Sequence, residues 1–303
     1  VLTDPTISGL ARHISTSTST AADAQYDPVV PLHPHGSKTP LWLVHPASGN
    51  VLIFTALACA FHDRPIYAFR ARGTRPGEPL FTSITEMADT YVTALLRTQP
   101  HGPYALAGYS LGSSVTFEIA KRLEASGAEV RFFGALDGPP DVASLVGKLT
   151  WSEALAMIGY LYELIDEKRS IELMVELKDQ EADAALDVIL TEADQQRLQA
   201  LGLEKNELAH VTDVTAGFCQ ATGGYRPSGE VGCVVDVFAA QPLLTVTDER
   251  EVWLRDYLGK WANLSKLGMA VHQCEGRHAD MLGRKYVNSL ALILRRVLFE
   301  RGV

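Results

Sequence analysis

The chain has 303 residues, 47% hydrophobic and 21% charged, a composition that supports a sizeable buried core. Its 27 basic and 36 acidic residues leave a net charge of −9 with no basic run, which argues against nucleic acid or an anionic membrane as partner. Four scattered cysteines without a CxxC pair (Cys59, Cys219, Cys233, Cys274) read as core thiols in a reducing compartment, with no metal site expected. With no signal-peptide core and no apolar run of ~18 residues, the protein is expected to be cytoplasmic.

The opening stretch VLTDPTISGLARHI (1–14) has a helix signal. Asp4 suits the N-cap and Pro5 the first helical position, and Ile7, Leu10, Ala11 and Ile14 share one face. Nothing local can cover that face. The Ser/Thr/Ala tract that follows reads as a linker running to about residue 37. The chain is therefore expected to begin with the last helix of something else, followed by a tether.

From residue 38 strands and helices alternate. Strands are predicted at 39–45, 64–71, 103–108, 129–136, 230–240 and 268–274, and helices at 83–99, 113–127, 248–262 and 284–298. This order implies an α/β fold, with a mostly parallel sheet covered on both faces. Residues 141–222 hold no convincing strand. They carry helical stretches such as 151–166 and 191–202, and read as an acidic, amphipathic insertion over an edge or face of the core.

One junction carries chemistry. Strand 103–108 runs into Gly108-Tyr109-Ser110-Leu111-Gly112, and a helix follows. By chance G-x-S-x-G arises in roughly one chain of this length in ten, so the strand before it and the helix after it carry the inference. A serine on such a turn projects its hydroxyl over the carboxyl ends of the strands, with helix N–H groups behind it. Ser110 needs a base. Of nine histidines, His278 follows the last strand in the loop EGRHADML, where α/β-hydrolases carry theirs. His13, His33, His35, His62 and His101 lie in linkers or turns, His210 in the insertion and His272 inside a strand. The acid is expected to be Asp137, at the end of the strand after the nucleophile's helix. Asp248 is the alternative, and Asp236 lies within a strand. The oxyanion donors are expected to be the backbone N–H groups of Leu111 and Ala47, with His45 a supporting residue.

The segments LWLVHPASGN, GYSLGSSVTFEIAKRLEASG, ALDGPPD and EGRHADML together resemble the thioesterase domains that end nonribosomal peptide and polyketide synthetases. The resemblance covers residue 38 to the C-terminus. It implies an α/β-hydrolase fold, with 141–222 as a helical lid and 1–14 as the remnant of a carrier domain. It implies the triad Ser110, His278 and Asp137. Ser113 departs from the pattern, since many members have glycine there. DRPIYAFRARG, GEPLFTSITEMADTY and QPHGPYALAGYS are similar to a fungal subgroup with adenylation, carrier and thioesterase domains only, which includes atromentin-forming enzymes. That likeness implies arylpyruvate delivered on the 4'-phosphopantetheine of an upstream carrier, no cofactor bound by this domain, and adenylation and carrier domains of the same chain as partners. Two units would be joined by Claisen/Dieckmann-type condensation into a quinone or furanone. Hydrolytic or lactonising release, a free-standing esterase and a carrier-docking module are the alternatives.

Overall fold

The computed structural model describes residues 26–75 and 77–303. The helix expected at 1–14 and the first part of the linker, 15–25, lie outside the described residues. Among the described residues one sheet contains β1 (Val29–His33), β2 (Leu41–Val44), β3 (Ile66–Phe69), β4 (Tyr104–Tyr109), β5 (Val130–Leu136), β6 (Val235–Gln241) and β7 (Met269–Arg277). Their spatial order is β1-β3-β2-β4-β5-β6-β7. Only β1 runs antiparallel to its neighbour. The helices are α1 (Thr55–Cys59), α2 (Ile84–Thr98), α3 (Gly112–Ala125), α4 (Ala143–Val146), α5 (Trp151–Leu161), α6 (Glu167–Glu176), α7 (Ala182–Glu192), α8 (Gln195–Leu201), α9 (Lys205–Ala221) and α10 (Val287–Glu300).

The fold is an α/β-hydrolase-type sheet covered on both faces. Every residue of β2 and β4 is buried, as continuous apolar strands at the middle of a parallel sheet require. On one face α2 and α3 bring Met87, Tyr91, Leu95, Val115, Ile119 and Leu123 to the core. On the other, α1 and α10 bring Leu57, Ala58, Leu290 and Leu294. Helices α4 to α9 all lie between β5 and β6 in sequence, and α5 to α9 build a separate apolar cluster around Leu155, Ile158, Leu173, Ile189 and Leu208. Val214, Phe218 and Cys219, toward the end of α9, join the main core instead. No helix of the described residues is long and apolar enough to cross a membrane.

Three expectations need correction. Residues 29–33, assigned to the linker, form β1. The strand is short and half-exposed, with a bulge between Pro31 and His33, so it reads poorly from pattern. The helix expected at 248–262 is a segment over 250–264 whose winding changes from α to π to 3-10, with Trp253 and Trp261 fully buried. Cys59 is exposed at the end of α1, whereas Cys219, Cys233 and Cys274 are buried, and desolvation pushes each of these three thiols up to about 12.

The β4–α3 junction depends on close backbone approach. A Cβ on Gly108 would lie 2.1 Å from the Gly112 carbonyl oxygen, and one on Gly112 would lie 2.5 Å from that of Val44. Both neighbours are main chain, so neither can swing aside. Gly108→Ala is therefore expected to cost about 3 kcal/mol or more in urea unfolding. A variant as stable as the parent would show that the junction tolerates separation.

Candidate active site

Ser110 directly follows β4, with φ at +56°. A non-glycine residue in this left-handed region costs roughly 1–2 kcal/mol, so surrounding contacts must hold it there. The Ser110 N–H donates to the Leu136 carbonyl at 3.0 Å, which extends the β4–β5 ladder to the serine. Helix α3 begins two residues later. Ser113 uses its hydroxyl to donate to the Gly108 carbonyl at 2.8 Å, so the departure from glycine there ties the helix back to the strand.

Asp137 directly follows the neighbouring strand β5 and also sits at positive φ, +48°. Its N–H donates to the Phe238 carbonyl at 2.9 Å, and the residue is fully buried. One carboxylate oxygen, Oδ2, accepts from His278 Nδ1 at 2.7 Å. The other, Oδ1, accepts from the Ala240 N–H at 3.1 Å and from the Trp253 indole N–H at 3.2 Å. Three donors thus surround a charge that would be costly to bury alone. Because Nδ1–H donates to the carboxylate, the Nε2 lone pair of His278 is the one available for a base.

Of the other candidate acids, Asp248 lies exposed on the loop after β6. Asp236 is fully buried within β6, where it accepts two hydrogen bonds from Arg301 and one from His272 Nε2 at 2.9 Å. Asp236 and His272 thus hold the C-terminal end of the chain against the sheet edge.

The loop after β2 carries His45 and Ala47. The His45 ring is buried. Its Nδ1 meets the Pro46 carbonyl at 2.7 Å, and its Nε2 meets the Tyr91 hydroxyl at 2.7 Å. A carbonyl can only accept, so Nδ1 carries the proton and the tyrosine donates to Nε2. Desolvation lowers the pKa of this neutral imidazole to about 4. The N–H groups of Ala47 and Leu111 have no hydrogen-bond acceptor among the described residues.

Three neighbours were not legible as site residues. The Tyr109 ring stacks on the His278 imidazole, with centroids 5.0 Å apart and planes at 26°, and its hydroxyl donates to the His278 carbonyl. Trp253 holds Asp137, as described. Glu167, at the start of α6, is 2% exposed and ties the insertion to the core, accepting from the Leu244 N–H at 2.8 Å and from Arg277 at 3.4 Å. In sequence each reads as ordinary core or helix face, and only tertiary contact distinguishes it.

The thioesterase domain family model matches residues 39–297. Microperfuranone synthase of Emericella nidulans is 41% identical over 305 residues, which cover 100% of this chain and 32% of that protein. Atromentin synthetase of Serpula lacrymans is 38% identical, covering 100% of this chain and 31% of that protein. The chain thus spans about a third of the length of these curated relatives. A crystal structure of the four-domain nonribosomal peptide synthetase holo-AB3403 superposes with a TM-score of 0.73 at 21% identity, over 95% of this chain and 21% of that one.

His45 makes the site loop sensitive to acid. Its folded value of about 4 lies below the ~6.5 of an unfolded histidine, so between these pH values the unfolded chain binds more protons. The contribution is fully present above pH ~6.5 and is lost as pH falls toward 4, at up to roughly 1.4 kcal/mol per pH unit. His45→Asn cannot titrate. Its unfolding free energy should fall less steeply than the parent's across this window, and parallel slopes would contradict the assignment.

Proposed function

The chain belongs to the thioesterase domain family, and from that membership we propose that Ser110, His278 and Asp137 form its acyl-transferring triad. The bond that carries this reading is His278 Nδ1 to Asp137 Oδ2 at 2.7 Å, formed between residues 141 positions apart beside the strained Ser110 turn. His278 takes the Ser110 proton as the hydroxyl oxygen attacks a carrier-bound thioester. The tetrahedral oxyanion sits between the N–H groups of Ala47 and Leu111. Its collapse expels the pantetheine thiolate, which receives the proton from the imidazolium and leaves an acyl group on Ser110. The domain itself binds no cofactor in this scheme.

The acyl group is proposed to be an arylpyruvate, delivered on phosphopantetheine by a carrier domain and activated by an adenylation domain of the same protein. The similarity to microperfuranone and atromentin synthetases along the whole chain supports this. His278 then removes the acidic C–H proton between ring and carbonyl of a second, carrier-bound unit. The resulting carbanion attacks the acyl-serine, forms the carbon–carbon bond and frees Ser110. A second, Dieckmann-type closure expels the carrier thiol and releases a cyclic product. The helical insertion at 143–221 acts as a lid, and keeping water from the acyl-serine favours condensation over hydrolysis.

The test supplies the domain with a carrier loaded with arylpyruvates and identifies what is released by mass. Products containing two aryl units are expected, and none from Ser110→Ala. Free arylpyruvic acid as the main product would overturn the condensing reading in favour of a hydrolytic one. Asp137→Asn should lower kcat by about 10²–10⁴-fold while Asp248→Asn leaves it unchanged. The reverse pattern would reassign the acid.

A further inference from the structure

We propose that Tyr109, the residue just before the serine, is a positioning residue that sets how the His278 imidazole faces Ser110. The inference rests on Ser110 and His278 being nucleophile and base. Asp137 holds one edge of the imidazole through Nδ1, but a single hydrogen bond leaves the ring free to tilt about it. Tyr109 removes that freedom twice. Its ring lies against the imidazole face at 5.0 Å, and its hydroxyl donates to the main-chain carbonyl of the same histidine. Side chain and backbone of His278 are thus both referenced to the last residue of β4.

Tyr109 is itself immobile. It is 2% exposed, pairs in register with Leu136 of β5, and packs in the cluster that includes Met281 and Leu282 of the His278 loop. Burial, with Asp137, Tyr160 and Asp280 nearby, holds its hydroxyl protonated and therefore a donor. The nucleophile directly follows the base-holder, the last residue of β4, so the Ser110–His278 separation is transmitted through a single peptide unit rather than through mobile loops. The titratable groups facing or flanking the imidazole are Asp137 just after β5, Tyr109 of β4, Tyr160 of α5, Arg277 at the end of β7 and Asp280 of its own loop.

The experiment measures the rate constant for fluorophosphonate labelling of the intact chain against pH, together with labelling extent and thermal midpoint. Tyr109→Phe keeps the ring and loses only the donor. Its labelling rate should fall about 10-fold with the acid limb of the profile in place. Tyr109→Leu also loses the ring that lies against the imidazole and fixes its plane. Its rate should fall about 10²-fold across the profile. Wild-type rates in both variants, with only extent or thermal midpoint reduced, would mean Tyr109 is mere packing and overturn the proposal. Where Tyr109→Leu fails to fold, the rate of Tyr109→Phe decides alone. Ser110→Ala is the control for the underlying assignment. Persistent labelling there overturns that assignment directly, and the Tyr109 proposal with it.

Discussion

A single buried carboxylate organises the carboxyl edge of this sheet. Asp137 gathers donors from the loop after β7, from the end of β6 and from the helical segment at 250–264. Removing any one of these leaves a charge short of a partner in a low-dielectric interior, a far larger penalty than a surface ion pair could impose. The three chain segments are therefore coupled. The imidazole is aimed correctly only when the strand end and the indole are also in place. The left-handed backbone at Asp137 is the conformational cost of turning its side chain into that convergence.

The serine is held by a different means, namely steric closeness. Helix α3 approaches β2 and β4 so nearly that its first residues meet main-chain atoms, and the bond from Ser113 to Gly108 fastens helix to strand across the turn. The Ser110 turn thus owes its shape to missing side-chain atoms, while Asp137 owes its position to hydrogen bonds. The two mechanisms meet at Leu136, whose carbonyl accepts from Ser110 and whose successor is Asp137.

Much of this was legible beforehand because strong local patterns generate it. The apolar runs of β2, β4 and β5 could only be central strands, and G-x-S-x-G between strand and helix places Ser110 without tertiary knowledge. The order of His278 and Asp137 relative to strand ends was enough to single out two residues that the structure places in contact. What escaped had no local signature. Strand β1 contains a proline and lies at an edge, so its pairing with β3 is a property of the assembled sheet. Tyr109, Trp253 and Glu167 look like interior or helix-face residues until contacts 77 to 169 positions away are known. Asp137 and Asp248 occupy comparable places after strand ends, and only the folded chain shows that the first is buried and the second exposed.

Strands β5 and β6, which bracket helices α4 to α9, are direct neighbours with an unbroken parallel register. The roughly eighty residues between them leave and re-enter the sheet at adjacent points and carry an apolar nucleus of their own. A segment anchored in this way can diverge in length and lining while the sheet beneath stays as it is. Selection could thus reshape the insertion without reopening the sheet that carries Ser110 and Asp137. Glu167, reaching back to the loop after β6 and to the end of β7, is one contact that such divergence would have to preserve or replace.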